Sequence, residues 1–98
     1  MDEFEWDAEK AAANLTDHHV SFEEALTVFA DPLAAIFDDP DHSAEERREL
    51  MIGRSTRQNL LVVSFTERAG RVRIITARKV TARERQDYEQ SAKKNLKD

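Results

Sequence analysis

The chain has no cysteine in its 98 residues, which excludes a disulfide framework and any thiolate metal site. Two glycines and two prolines leave little room for a flexible linker, and a single domain spanning residues 1–98 is expected. One hydrophobic core is feasible at this length without staples. No apolar run approaches the ~20 residues that cross a bilayer. The acidic opening lacks the basic-then-apolar pattern of a secretory signal, so a cytoplasmic location is the default expectation. There is no glycine-rich phosphate loop and no nucleophile elbow. Metal-ligand spacing is missing too: His18 and His19 are adjacent and diverge from regular structure, and His42 sits among aspartates in a polar turn. No metal and no cofactor are expected.

What is present is charge, unevenly placed. The formal net charge is −5. Residues 1–46 hold 14 acidic residues and one lysine, while residues 47–85 hold 11 basic and three acidic ones. An acidic half and a basic half therefore share one chain. Two readings follow: the halves attract each other within the fold, or the basic half offers a local surface for a polyanion.

The centre of the chain is Leu60–Val80. Leu60 to Phe65 is apolar on both alternations except at Ser64, the pattern of a strand buried on both faces. Glu67-Arg68-Ala69-Gly70 is a turn, with Gly70 suited to positive φ, and the return strand alternates Arg71, Val72, Arg73, Ile74. Before this hairpin, Phe4-Glu5-Trp6 suggests a short edge strand. Asp7 caps a helix over Ala8–Leu15, with Trp6, Ala11, Ala12 and Leu15 inward. Ser21-Phe22-Glu23-Glu24 is a capping box opening a second helix, with Phe22, Ala25, Leu26 and Phe29 at core spacing. Leu33–Phe37 and Arg47–Arg54 read as strands around the polar turn Asp38–Ser43. Thr81-Ala82-Arg83-Glu84 is a second capping box, opening a mostly polar helix through about Lys94 with Tyr88 and Ala92 to bury. The order β-α-α-β-β-β-β-α implies an α+β fold: an antiparallel sheet of four or slightly more strands, two N-terminal helices on one face, and a C-terminal helix.

The chemistry-bearing residues are basic. Arg54, Arg68, Arg71, Arg73, Arg78 and Lys79 belong to the strands and their turn, and converging arginine forks suit phosphate oxygens. Strict alternation sets Arg71, Arg73 and Lys79 on one side and Arg78 on the other, unless a bulge intervenes. The alternative for each is a solvated strand paired with the acidic half. His18 can donate or accept a proton near neutral pH, or serve as a surface histidine.

Taken in order, Phe4-Glu5-Trp6-Asp7, Lys10, Asn14, His18 and Val20-Ser21-Phe22-Glu23-Glu24-Ala25 resemble the opening of the BrnT toxins. Asp31-Pro32, Ile52-Gly53-Arg54-Ser55, Phe65-Thr66-Glu67-Arg68, Arg73-Ile74-Ile75-Thr76-Ala77-Arg78 and Tyr88-Glu89 resemble the remainder. The resemblance covers residues 4 to about 89. It implies a RelE-like fold and a ribonuclease toxin of a type II toxin–antitoxin system that halts translation. The implied partner is a BrnA-like antitoxin with a ribbon-helix-helix DNA-binding part, so that operator DNA is reached through the antitoxin. By the resemblance, His18, Arg54, Arg68 and Arg78 are the candidate catalytic residues, and Lys10, Arg73 and Lys79 the candidate substrate-binding residues. Cleavage would need no metal. Family members usually carry Lys-His-Gly where this chain has Asp17-His18-His19, and an anion beside His18 weakens attraction for phosphate. The alternative is therefore a catalytically weakened homologue that binds antitoxin in operon autorepression. The antitoxin is expected to cover part of Arg54–Lys79.

Overall fold

The protein is described by a computed structural model covering residues 3–39 and 47–96; the expected turn around Pro40–Ser43 and His42 lies outside these residues. Five strands form one mixed sheet: β1 (Glu3–Glu5), β2 (Ala35–Asp38), β3 (Glu49–Arg54), β4 (Leu60–Arg68) and β5 (Arg71–Lys79). Their spatial order is β1-β5-β4-β3-β2. The hairpin β4–β5 and the pairs β3–β4 and β2–β3 are antiparallel. The expectation of an antiparallel sheet of four or slightly more strands is corrected at one edge, where β1 joins β5 in parallel and makes the sheet mixed. Its register sets Glu3 opposite Arg71 and Glu5 opposite Arg73. Arg71 Nε lies 3.2 Å from a Glu3 carboxylate oxygen, and Arg73 Nη1 lies 2.8 Å from one of Glu5. The acidic and basic halves meet here within the fold.

β4 is the central strand, as its two-sided apolar pattern implies; Leu60 through Thr66 are all buried. Its odd-numbered residues Leu61, Val63 and Phe65 join Val20, Phe22, Ala25 and Val28 in the main core. That core lies under the helices α1 (Ala8–His18) and α2 (Phe22–Thr27). Phe29 bridges it edge-to-face, with ring centroids 5.0 Å from both Phe4 and Phe65. Leu60 and Val62 point the other way and pack with Ile52 and Tyr88 of the third helix, α3 (Ala82–Leu96). The hairpin turns at Ala69 (φ 51°) and Gly70 (φ 81°), two successive positive φ values that suit the right-handed twist of the flanking strands.

Gly53 permits a close approach. A Cβ there would stand 2.7 Å from Val28 Cγ1 and 2.9 Å from Ala34 Cβ, so the segment leading into β2 presses against β3.

α1 departs from expectation in its inner face. It runs to His18 rather than Leu15. Leu15 is 51% exposed while Asn14 is buried at 5%. The reason is the edge of β5. β1 pairs with residues 71–73, and further along Asn14 takes over as a substitute strand. Its amide oxygen accepts from the Ala77 N–H (3.0 Å), and its amide nitrogen donates to the carbonyls of Ala77 (2.8 Å) and Val20 (2.9 Å). Buried backbone groups need partners, and a short polar side chain supplies them more directly than leucine could.

The two capping boxes have different outcomes. At α3 both halves form: the Glu84 N–H donates to Thr81 Oγ1 (3.2 Å) and the Thr81 N–H to Glu84 Oε1 (2.8 Å). At α2 Ser21 Oγ accepts from the Glu24 N–H (3.0 Å), but the Glu24 side chain does not return. It accepts instead from Ser55 Oγ (2.6 Å) and Asn59 Nδ2 (2.8 Å), fixing the tight link between β3 and β4.

Candidate nucleic-acid interface

Register decides which arginines share a face. Ser64 pairs with Thr76 while Phe65 pairs with Ile74, so Ile75 is an extra residue, a β-bulge. Val72, Ile74 and Ala77 consequently all reach the main core, and side-chain direction reverses across the bulge. Arg71, Arg73 and Arg78 therefore project from the α3 side, and Lys79 turns to the other side near Glu24. The strict-alternation expectation, Lys79 with Arg71 and Arg73 and Arg78 opposite, is corrected by this bulge. On β3, Arg54 pairs with Leu60 and also faces α3.

Each arginine on that face already holds a partner. Arg78 makes a two-pronged contact with Glu84: Nη1 to Oε1 at 2.8 Å and Nη2 to Oε2 at 2.9 Å. Arg73 is held by Glu5. Arg54 Nη1 donates to the Gln58 carbonyl (3.2 Å), its guanidinium carbon stands 6.0 Å from the Tyr88 ring centroid, and its backbone N–H donates to Asp31 Oδ2 (2.8 Å). Tyr88 Oη donates to the same Asp31 oxygen (2.8 Å), and the Leu33 N–H to Oδ1 (2.9 Å). Burial pushes the Asp31 carboxyl upward, but the Arg54 and Leu33 amides and the Tyr88 hydroxyl outweigh it and leave the group below its ordinary value. For Tyr88, burial first and then Asp31 raise the phenol. At Glu84 the Arg78 fork is the largest influence; against burial, and with the Thr81 amide, it holds the carboxyl down at about 2.

Lys10 and His18 come from α1 and line one open cavity of about 260 Å³ with Asn14, Asp17, Ile75 and Thr76. Thr76 is exposed, lies between Arg73 and Arg78 along β5, and so joins this cavity to the arginine face at the strand edge. The structure thus groups Lys10 and His18 in one cavity, while Arg73 and Arg78 are absent from its lining and project from the α3 face of the adjoining strand. Arg68 stands apart near the hairpin tip opposite Arg71. Arg54 stands two strands away beside Tyr88. Lys79 lies on the opposite side of the sheet. Sequence reasoning missed Glu84 as the partner of Arg78 and Tyr88 with Asp31 as the anchor of α3. A signal existed for the first: a capping-box glutamate has a second oxygen to spare, and an arginine three residues before the cap can reach it.

Fold and surface together define a small α+β protein with a mixed five-stranded sheet whose one face carries arginines paired with carboxylates. Residues 6–84 match the family model described as the ribonuclease toxin, BrnT, of type II toxin–antitoxin systems. The chain therefore belongs to the BrnT toxin family, and is a toxin of a type II toxin–antitoxin system with an antitoxin as its counterpart. Its fold is similar to the 1.1 Å crystal structure of the Brucella abortus ribonuclease toxin BrnT, with a TM-score of 0.63 and 18% identity over 83% of this chain and 99% of that one. No curated protein sequence matches the chain.

Proposed function

We propose that this chain is a metal-independent RNA endonuclease whose site lies along the edge of β5, and that a BrnA-like antitoxin neutralises it in the cytoplasm. The observation that carries the proposal is the meeting at Thr76 of an imidazole–ammonium cavity, from His18 and Lys10, with the strand that bears Arg73 and Arg78. RNA carries its own nucleophile. The 2′-hydroxyl attacks the adjacent phosphorus, loses its proton to a base, and expels the 5′-oxygen, which takes a proton. The products are a 2′,3′-cyclic phosphate and a 5′-hydroxyl. His18 can serve one proton transfer. Arg73, Arg78 and Lys10 supply cations for the charge that grows on the phosphoryl oxygens. The two-pronged contact of Arg78 with Glu84 supports this role: on this reading two phosphate oxygens take the place of the carboxylate pair. On this reading Arg54 and Arg68, on the α3 side, and Lys79, on the other side of the sheet, contact RNA outside the reacting phosphate.

A second reading has one observation in its favour. Asp17 lines the same cavity as Lys10 and His18, and a carboxylate there opposes a phosphate. On that reading the chain binds antitoxin for operon repression and cuts nothing. Incubating the purified chain, freed from antitoxin, with RNA separates the two. Cleavage that persists in EDTA, leaves 5′-hydroxyl ends and disappears in His18→Ala supports the endonuclease. Cleavage abolished by EDTA and restored by magnesium refutes metal independence, and no cleavage at any enzyme concentration leaves the binding module.

A further inference from the structure

The sheet ends at β2, and β2 carries apolar side chains on both faces. Pairing with β3 sets Ile36 beside Met51, on the side of the main core, and Phe37 beside Leu50, on the α3 side. Ile36 is 53% exposed and Phe37 42%. β3 is the one strand beside β2 among the described residues, so the outer edge presents backbone donors and acceptors to no strand. Common protections of such an edge are lysines, a proline or a bulge. β2 reads Ala-Ile-Phe-Asp, with one terminal charge, and pairs with β3 in unbroken register.

α3 overhangs this edge. Asp87, Gln90, Ser91 and Lys94 recur at helical spacing and form one wall of an open cleft of about 670 Å³, with Ala34 to Phe37 as the other wall. Among the described residues, the side chains of Asp87, Gln90 and Lys94 have no hydrogen-bond or ion-pair partner. Asp87 and Lys94 are two helical turns apart, about 10 Å along the axis. The wall is thus anionic toward one end and cationic toward the other.

We propose that this cleft receives an extended segment of the antitoxin, which adds to the free edge of β2 as a sixth strand. The proposal rests on the toxin reading for the existence of a protein partner, and on the edge for how it binds. Strand addition satisfies the free backbone groups of β2, and alternate side chains of the added strand meet Ile36 on one side and Phe37 on the other. The matching segment carries an apolar residue against Phe37, a basic residue toward Asp87 and an acidic one toward Lys94. The arginine face has less to offer a protein partner. Arg71, Arg73 and Arg78 are already met by Glu3, Glu5 and Glu84, whereas the outer edge of β2 pairs with no strand among the described residues and exposes apolar area. RNA is a poor occupant, since Asp87 lines the cleft and Ile36 and Phe37 offer nothing to a phosphate.

The test uses the full chain and the antitoxin encoded with it, each purified separately. Hydrogen exchange is followed across β2 with and without antitoxin, and affinity is measured by titration for the wild type, Ile36→Lys, Phe37→Lys and the charge-reversing pair Asp87→Lys and Lys94→Glu. Exchange of the β2 amides is expected to slow at least about tenfold in the complex. Phe37→Lys is expected to weaken antitoxin binding at least about tenfold, while RNA cleavage by the free variant stays at the wild-type rate. Because the exchange measurement uses wild-type protein, it decides the matter even if a variant folds poorly. Unprotected β2 amides in a saturated complex overturn the proposal. So does protection of β2 in the toxin alone with a concentration-dependent doubling of mass, which assigns the edge to a second copy. A chain that cleaves no RNA but gains β2 protection sinks the endonuclease and leaves this interface standing. A chain that is neutralised without that protection does the reverse, and no binding of antitoxin at all overturns the interface.

Discussion

Replacing Glu84 by glutamine removes one charge while keeping a side-chain oxygen that can accept from the Thr81 N–H. The perturbation therefore falls on the fork with Arg78 rather than on the helix cap. In the folded chain the Arg78 fork, helped by the Thr81 amide and opposed by burial, holds the Glu84 carboxyl at about 2, against 4.5 for the free group. At ~1.4 kcal/mol per pH unit that difference corresponds to about 3 kcal/mol. The Arg78 side chain is 39% exposed and that of Glu84 22%, so solvent screening reduces the net contribution to roughly 1–2 kcal/mol. The folded value lies below the unfolded one. Hence the contribution is complete above about pH 5 and is lost as pH falls through the folded value near 2.

Urea unfolding of the wild type and Glu84→Gln, measured from pH 7 down to pH 2.5, checks this. At pH 7 the variant should be less stable by roughly 1–2 kcal/mol, about 5–10 °C in Tm for a chain this size. The gap should narrow below about pH 4.5 and fall to roughly a quarter of its pH 7 value by pH 2.5. Thr81→Ala is the control: it removes the cap, costs about 1 kcal/mol, and leaves the acid-dependent loss in place. Equal stability at pH 7, or a gap that stays constant with pH, would show that the fork is a solvated contact that contributes nothing.

Asn14→Ala should cost several kcal/mol, since it orphans the N–H and C=O of Ala77 and leaves the Val20 carbonyl short of a partner; hydrogen exchange at Ala77 should rise by orders of magnitude. Gly53→Ala should destabilise by roughly 1–3 kcal/mol, because its Cβ meets Val28 and Ala34 below 3 Å; thermal melts at unchanged secondary-structure content measure it. On the proposed function, Arg78→Ala should reduce RNA cleavage by roughly a hundredfold, and Arg78→Lys should recover little of it, assayed well below Tm so that folded fraction does not confound rate. Wild-type cleavage in folded Arg78→Ala removes that residue from the site.

Much of the fold was legible because its signals are local. The apolar run of β4, the Gly70 turn, the serine and threonine caps and the Asp7 cap each depend on neighbours within a few residues. Asn14 was not legible in this way. Its partners are Val20 and Ala77, and nothing near it in the chain states that β5 will need an edge. The same holds for Glu24, whose side chain leaves its own helix to meet Ser55 and Asn59. For the candidate site, residue types were readable and positions were not. The basic half allowed either pairing with the acidic half or a surface for a polyanion, and whether a guanidinium faces solvent, a phosphate or a carboxylate depends on tertiary register.

The bulge shows why that register could not be inferred. Ile74-Ile75-Thr76-Ala77 reads as unbroken strand, with no glycine to mark an irregularity. Its place becomes sensible only from the outer side of β5. There the partner changes from β1, which pairs with residues 71–73, to the Asn14 amide at Ala77. The extra residue falls in the interval between these two partners, where no strand on that side enforces the two-residue pleat. One inserted residue then reverses every side chain beyond it. Ala77 rather than Thr76 meets the core, Lys79 turns toward Glu24, and Arg78 joins Arg73 on the α3 face. Without the bulge Arg78 would take the place opposite Leu61 that Lys79 now holds, facing away from α3, and Glu84 could not reach its fork. The candidate anion site therefore depends on how far β1 extends along β5, which is set by chain segments some 70 residues apart.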